Sequence, residues 1–222
     1  PLEMENVPLA EAENRVLVKD VTATFPMPRF DNSAMDGFAV RSSDTIKASQ
    51  ENPISLKIIC VSSAGSPSML ALNTGECIQC MTGAKIPDGA DAVIMVEDTS
   101  GFSDEDSVQI FLEAHPEKHI RKKGEEIQKG DSLIPKGTCI TPSEIGTLAT
   151  FGYGDIAVAK KPRIAIFGTG NELVEPGKEL KEGEIYNSNL YVFGELVEKS
   201  GAEIIMRDVI KDDKASLRSF LS

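Results

Sequence analysis

The sequence predicts a multidomain protein that combines a β domain with the beginning of an α/β domain. Its 222 residues are enough for about one to three domains with hydrophobic cores. Between residues 26 and 124, short apolar runs alternate with Gly, Pro, Asn and Ser, which is typical of a barrel or sandwich of short strands. From residue 163 onwards, the pattern changes to strand, helix and strand. The two parts of the chain therefore follow different folding patterns.

The first 160 residues contain one short helix, several strands and one strongly marked helix. A helix is predicted at 9–17 and an extended segment at 18–23. Thr141 and Glu144 form the S/T-x-x-E pattern of a capping box, with Pro142 in the first helical position, so a helix is predicted at 142–151. Strands are predicted at 54–61, 76–81, 92–96, 108–112 and 155–159.

The C-terminal segment has the pattern of a βαβ unit. The nearly continuous apolar run at 163–167 predicts a strand buried in a parallel sheet. Leu190, Phe193, Leu196 and Val197 recur at helical spacing, a second strand is predicted at 203–210, and Asp213 can cap a helix at 214–221. A parallel sheet of two strands cannot cover its own faces. We therefore expect residues 159–222 to be the first part of a larger α/β domain.

Charge and composition exclude several classes of partner. Because 35 acidic residues outnumber 23 basic ones, a nucleic-acid backbone or an anionic membrane is not expected as the main partner. The sequence has neither an apolar stretch long enough to cross a bilayer nor the basic and apolar start of a secretion signal. A soluble cytoplasmic protein with reduced cysteines is the prediction.

Three short motifs each leave two interpretations open. Cys77-x-x-Cys80 lacks the second pair that a zinc site needs, and residues three apart in a strand point to opposite faces. The loop 168–172, Gly-Thr-Gly-Asn-Glu, is either a tight turn with a solvated Glu172 or a ligand loop at the end of a parallel strand. The heptamer 31–37, Asp-Asn-Ser-Ala-Met-Asp-Gly, is either a structural turn or a loop that contacts an oxyanion or metal.

In combination, these loops are far more specific. Residues 28–40, 81–93, 168–173 and 185–189 together resemble, in order and spacing, the molybdopterin molybdenumtransferases, or MoeA proteins, and the similar E domain of gephyrin. The resemblance covers this whole chain but only the N-terminal portion of a family member. It implies a small mixed domain at 1–25 and 126–158, a β domain inserted at 26–125, and the first part of a Rossmann-like, molybdopterin-binding α/β domain at 159–222.

The resemblance also implies an enzyme activity. MoeA proteins release AMP from adenylylated molybdopterin and insert molybdate into its dithiolene, with Mg²⁺ required. They are homodimers with a composite active site, and an enzyme that adenylylates molybdopterin supplies the substrate. The chain alone is expected to be inactive, and the alternative function is a scaffold of the gephyrin E-domain type without turnover.

Site residues are carried over from the family motifs. Glu172 and Asp36 are implied as catalytic and metal-binding carboxylates, and Thr82 as a further catalytic residue. Asn171, Phe38 and Glu126 depart from the usual Asp, Tyr and Asp of the family, and the loss of the charge at Asn171 weakens the case for a shared metal site beside Glu172. The residues implied in substrate binding are Ser33, Thr169, Asp212 and Asp213.

Overall fold

The computed structural model describes residues 3–103, 105–210, 212, 214 and 218. These residues form a mostly β structure with few helices. The strands are β1 (Met4–Pro8), β2 (Val21–Thr22), β3 (Asn32–Ser33), β4 (Gly37–Val40), β5 (Ile54–Ser62), β6 (Glu76–Cys80), β7 (Ala92–Met95), β8 (Ser107–Ile110), β9 (Ile120–Arg121), β10 (Ser132–Ile134), β11 (Asp155–Ala159), β12 (Arg163–Thr169), β13 (Leu173–Val174), β14 (Ile185–Tyr186) and β15 (Glu203–Ile210). The α-helices are α1 (Pro142–Thr150) and α2 (Asn189–Lys199), and 3-10 helices lie at Leu9–Glu11, Ser42–Thr45 and Val96–Asp98.

The chain divides into two compact units. One, here called the split unit, consists of Pro1–Val21 and Ser132–Ser222, and the other, the inserted unit, is the continuous segment Thr22–Asp131. This division does not separate residues 132–158 from 159–222. The three-domain boundaries implied by the family resemblance therefore stay a prediction.

The inserted unit is built on a five-stranded mixed sheet in the order β7-β4-β6-β5-β8. Side chains alternate between its two faces, as the strand period requires. On β4, Phe38 and Val40 belong to one buried cluster, whereas Ala39 belongs to another. Because both faces of the sheet are covered by apolar side chains, the interior strand β4 is completely buried.

Cys77 and Cys80 lie on opposite faces of β6, as the strand period predicts. Cys77 packs in the cluster of Phe38 and Ile94, and Cys80 in the cluster of Ala39. Both thiols are free, and burial raises the pKa of Cys77 to about 12 and that of Cys80 to about 11. These protonated thiols serve as apolar core residues.

The split unit contains the predicted capped helix. The Thr141 hydroxyl accepts a hydrogen bond from the Ser143 N–H, and the Glu144 carboxylate accepts one from the Thr141 N–H at 2.9 Å. Such a cap contributes about 1 kcal/mol to helix stability. Leu148 of α1 is fully buried in a cluster that also contains Val7 of β1 and Val158 of β11, two strands that pair antiparallel.

The predicted helix at 9–17 was wrong. Only Leu9–Glu11 is helical, as a 3-10 turn. Asn14 adopts a left-handed conformation with φ 60°, which ends any helix at that position. Val16 and Leu17 then form isolated β-bridges with residues of the returning chain. Pairing with distant strands therefore overrides the local helical composition.

The βαβ prediction was correct in its elements. β12 and β15 pair in parallel from Arg163↔Glu203 to Thr169↔Ile210, and α2 lies between them in sequence. The predicted burial of β12 was wrong for this chain, because no residue of that strand is fully buried. Phe193 and Leu196 of α2 are each 56% exposed. A pair of strands and one helix leave much of their apolar surface to solvent.

Part of the sequence prediction falls beyond these elements. Asp213 and most of the predicted helix at 214–221 lie outside the described residues.

In the parts of the chain that the structure describes, neither α-helix has the length and apolar character that crossing a membrane requires. The cytoplasmic location stays a prediction.

Candidate functional site

Asp36 and Thr82 meet in the inserted unit because of the way two strands pair. Asp36 directly precedes β4, and Thr82 comes two residues after β6. β4 and β6 are antiparallel, with Gly37 opposite Cys80, so the start of one strand lies beside the end of the other. The Thr82 N–H and the Thr82 hydroxyl each donate a hydrogen bond of 2.7 Å to Asp36 Oδ1.

These bonds favour the ionised form of Asp36. The backbone N–H of Thr82 is the larger cause, and its hydroxyl the second, of a pKa for Asp36 below the usual carboxyl value. Both bonds end on Oδ1, and the side chain is exposed. The second oxygen, Oδ2, is therefore available to a ligand or cation.

Ser33 shapes the turn that precedes Asp36. It is fully buried, its hydroxyl donates to the Met35 carbonyl at 2.5 Å, and it accepts from the Met35 N–H at 3.3 Å. A contact of Ser33 with substrate stays a prediction, whereas its two hydrogen bonds with Met35 stabilise this turn.

Phe38, which follows in β4, is also fully buried and makes an edge contact with Phe102. A tyrosine hydroxyl there would need a buried partner.

The second group of site residues lines a cavity in the split unit. The cavity has a volume of about 400 Å³ and lies at the carboxyl end of β12. After β12, the chain forms β13, which pairs in parallel with β14, and the segment after β14 leads into α2. This path brings Thr169 and Glu172 to the same cavity as Asn187 and Ser188.

The Glu172 side chain folds back over Gly170. A Cβ on Gly170 would be 2.8 Å from both carboxylate oxygens of Glu172, so a side chain at position 170 would displace this carboxylate. Among the described residues, none makes a hydrogen bond or ion pair with the Glu172 side chain. The carboxylate thus lines the cavity without a partner among the described residues.

Two further predicted residues, Asp212 and Asp213, follow β15 in the sequence. Asp212 is exposed, two residues after β15, and does not line the cavity, and Asp213 is outside the described residues. Asn187 was not selected from the sequence as a site residue. Its position in the Tyr-Asn-Ser-Asn segment just before a helix was the signal that could have found it.

The family follows from a match to the N-terminal part of the chain. Residues 1–152 match the family model described as the MoeA N-terminal region, domains I and II. The chain belongs to the MoeA family. It spans only about half the length of the curated relatives it matches.

Two MoeA relatives have been named for their activity. The chain is 39% identical over 215 residues to molybdopterin molybdenumtransferase 2 of Mycobacterium tuberculosis. The aligned region covers 97% of this chain and 53% of that protein. It is 42% identical over 207 residues to molybdopterin molybdenumtransferase of Staphylococcus aureus. The aligned region covers 93% of this chain and 49% of that protein.

A solved MoeA structure has the same fold. The molybdopterin biosynthesis MoeA protein of Pyrococcus horikoshii superposes with a TM-score of 0.88 at 37% identity, over 99% of this chain and 58% of that chain. The similarity extends beyond residues 1–152. It therefore includes the segment of β12, α2 and β15.

Asp36 and Glu172 are the two carboxylates that the family resemblance implies as Mg²⁺ ligands. No group of three or more His, Cys, Asp or Glu side chains within the described residues could hold a metal ion. Mg²⁺ in phosphate chemistry, however, is commonly held by one or two carboxylates together with substrate phosphates. Asp36 in the inserted unit and Glu172 in the split unit each offer one carboxylate of this kind, so the residues fit such a site.

Replacing Thr82 by Val should raise the pKa of Asp36 towards the usual carboxyl value. The substitution removes the hydroxyl hydrogen bond but keeps the larger contribution from the backbone N–H, so the pKa should remain below that value. An NMR titration of the Asp36 carboxyl carbon measures this pKa in the variant and in the wild-type protein. Thr150→Val, on α1, is the matched control.

The same substitution should reduce the acid sensitivity of folding. A carboxyl with a lowered pKa in the folded state stabilises the protein above its unfolded pKa, and this stabilisation is lost as the pH falls through the folded pKa. Because the pKa of Asp36 is lowered less in Thr82→Val, this variant should lose less stability as the pH falls through that pKa. An unchanged Asp36 pKa would contradict the role of the hydroxyl.

Proposed function

We propose that the whole protein is a molybdopterin molybdenumtransferase of molybdenum cofactor biosynthesis. The observation that carries this proposal is the Asp36 carboxylate, held by Thr82 at 2.7 Å in a chain about 40% identical to proteins with that name. An exposed, ionised carboxylate with one free oxygen is suited to hold a cation or to orient a substrate oxygen.

The proposed reaction inserts molybdate into the dithiolene of adenylylated molybdopterin and releases AMP. Both substrates are anionic, so carboxylates alone would repel them. Mg²⁺, when bound, supplies positive charge to the phosphate oxygens. A preceding enzyme that adenylylates molybdopterin would provide the substrate, and residues of this chain would bind and orient it.

The carboxylates and Thr82 each have a defined task in this proposal. Asp36 and Glu172 would hold Mg²⁺, and Thr82 keeps Asp36 ionised and in place. Glu172 faces the cavity without a partner among the described residues, and Thr169 lines the same cavity. A carboxylate in this position can hold a cation or accept a proton. Asp212 and Asp213 are proposed to contact the pterin side of the substrate.

The segment of β12, α2 and β15 is proposed to be the first part of a Rossmann-like molybdopterin-binding domain. The parallel pairing of the two strands supports this assignment. So do the exposed apolar side chains, because Phe193, Leu196 and Met206 are each about half exposed. Further strands and helices of the whole protein would cover this surface.

The proposed assembly is a homodimer with a composite active site. In this arrangement, Asp36 and Thr82 of one copy act together with Glu172 of the other. The proposal rests on the family resemblance, and it makes both copies necessary for turnover.

Turnover by the purified whole protein tests the proposed function. With adenylylated molybdopterin, molybdate and Mg²⁺, we expect AMP to be released in equal amount to the molybdenum that is incorporated. Residues 1–222 alone should not catalyse this reaction, since they lack part of the proposed domain. If the whole protein showed no turnover under any metal condition, a scaffold function of the gephyrin E-domain type would replace the enzyme proposal.

A further inference from the structure

Asn187 occupies a fixed position in the wall of the split-unit cavity. Its backbone N–H donates to the Val174 carbonyl at 2.9 Å, and its side-chain Oδ1 accepts from the Leu190 N–H at 3.4 Å. A Cβ on Gly168 would lie 3.6 Å from the same Oδ1. The residue thus joins three elements: the end of β12, strand β13 and the first turn of α2.

The Nδ2 atom of this amide has no hydrogen-bond partner among the described residues. Asn187 is 3% exposed, and its Nδ2 makes no hydrogen bond with any described residue. Leaving a buried donor without an acceptor is costly, and such groups are rare in folded proteins. Because the side chain lines an open cavity, a ligand in that cavity can supply the missing acceptor.

The cavity is better suited to a neutral ring than to a phosphate. The described residues that line it include no Lys, Arg or His, and the carboxylate of Glu172 is among them. Its apolar walls include Ile166, Phe167 and Phe193. A flat heteroaromatic ring can pack against such walls, whereas the described lining residues offer a phosphate no cationic partner, and only Mg²⁺ held by Glu172 would supply one.

We propose that Asn187 Nδ2 donates a hydrogen bond to the C4 carbonyl oxygen of a pterin ring bound in this cavity. The inference rests on the proposed function, which supplies a pterin substrate. The adenine ring of the same substrate fits less well, because it has no carbonyl oxygen and its ring acceptors N1 and N7 each flank the exocyclic amino group, which is a donor. Asn187 is therefore a specificity-determining residue for the pterin.

Two probe compounds test this assignment in the whole protein. Pterin has a carbonyl group at C4, and 2,4-diaminopteridine has an amino group there. Wild-type protein should bind pterin at least about tenfold more tightly, since the diamino compound places a donor against a donor. Fluorescence titration of both compounds measures the ratio of dissociation constants.

The variant Asn187→Asp should lose or reverse this preference. It keeps an acceptor for the Leu190 N–H, and a negative charge is favourable near the start of a helix, but it replaces the Nδ2 donor by an acceptor. Asn187→Ser, which is smaller and uncharged, should abolish the preference without reversing it. Asn6→Asp, on the exposed face of β1, should leave the ratio unchanged.

The outcomes separate the inference from the proposed function. A wild-type ratio near one, or a ratio that survives in both Asn187 variants, would overturn the inference while turnover stands. Loss of adenosine binding rather than pterin binding in the variants would also overturn it. Absence of both pterin binding and turnover in the wild-type protein would overturn the proposed function itself.

Discussion

Replacement of Glu172 by Gln in the whole protein is expected to abolish molybdate insertion while leaving the fold intact. The substitution removes one negative charge at the end of β12 and keeps the volume of the side chain. No described residue pairs with this carboxylate, so its loss leaves no described group unpaired. A group that holds a cation or moves a proton contributes about 100-fold or more to the rate. The loss of rate is measured as AMP released and molybdenum incorporated.

Glu182→Gln is the matched control for this prediction. Glu182 is exposed and has no assigned role, so its variant should keep wild-type turnover. The melting temperatures of both variants should equal that of the wild-type protein. Wild-type activity of Glu172→Gln would identify Glu172 as a solvated acid, and the motif match would then be misleading at this position.

Subunit mixing extends the same prediction to the proposed dimer. Asp36→Asn and Glu172→Gln homodimers should each be inactive. Mixed dimers should regain activity, because one of their two sites then contains both native carboxylates. Random pairing makes about half of the dimers mixed, with one intact site each. No recovery after verified subunit exchange would exclude a site shared in this way.

Gly37→Ala is expected to cause the largest loss of stability in the inserted unit. A Cβ on Gly37 would lie 1.9 Å from the carbonyl oxygen of Ile94 and 3.0 Å from the Cα of Met95. Both are backbone atoms of β7, so no side-chain rotation can relieve the clash. Strand β7 would have to move away from β4, at a cost of roughly 3 kcal/mol or more in the free energy of unfolding.

Denaturant unfolding of the chain measures this effect. Gly146→Ala is the control, because Gly146 lies in α1 and a Cβ there would meet nothing within 4 Å. That variant should be stabilised by up to about 1 kcal/mol, since alanine favours the helix over glycine. A Gly37→Ala protein with wild-type stability would contradict the close approach of β4 and β7.

Local patterns predicted the elements of this fold better than their partners. The capping box of Thr141 and Glu144 depends on residues three apart, and the opposite faces of Cys77 and Cys80 depend on the strand period. The capping box and the opposite orientation of the two cysteines could therefore be predicted from the sequence. The contact between Asp36 and Thr82 depends on the pairing of β4 with β6, which no local pattern encodes, and only the family resemblance placed the two residues in one site.

The errors have the same physical origin. Residues 9–17 have helical composition, but the strand contacts of Val16 and Leu17 and the left-handed Asn14 decide their structure. The apolar run of β12 correctly predicted a parallel strand, but its burial depends on which elements pack against its two faces, and no local pattern encodes that. Asn187 was missed because an unpaired amide donor becomes visible only when the surrounding atoms are placed.

The position of the inserted unit has a consequence for the order of folding. β1 pairs with β11, more than half the chain away, whereas the inserted unit is one continuous segment. Its two ends are already joined, since Ala23 exchanges backbone hydrogen bonds with Gly130 and Asp131. Once that segment has folded, the loop that β1 and β11 must close is much shorter, and each halving of loop length saves about 0.6 kcal/mol of closure entropy. Early folding of the middle of the chain thus lowers the entropic barrier to joining its two outer parts.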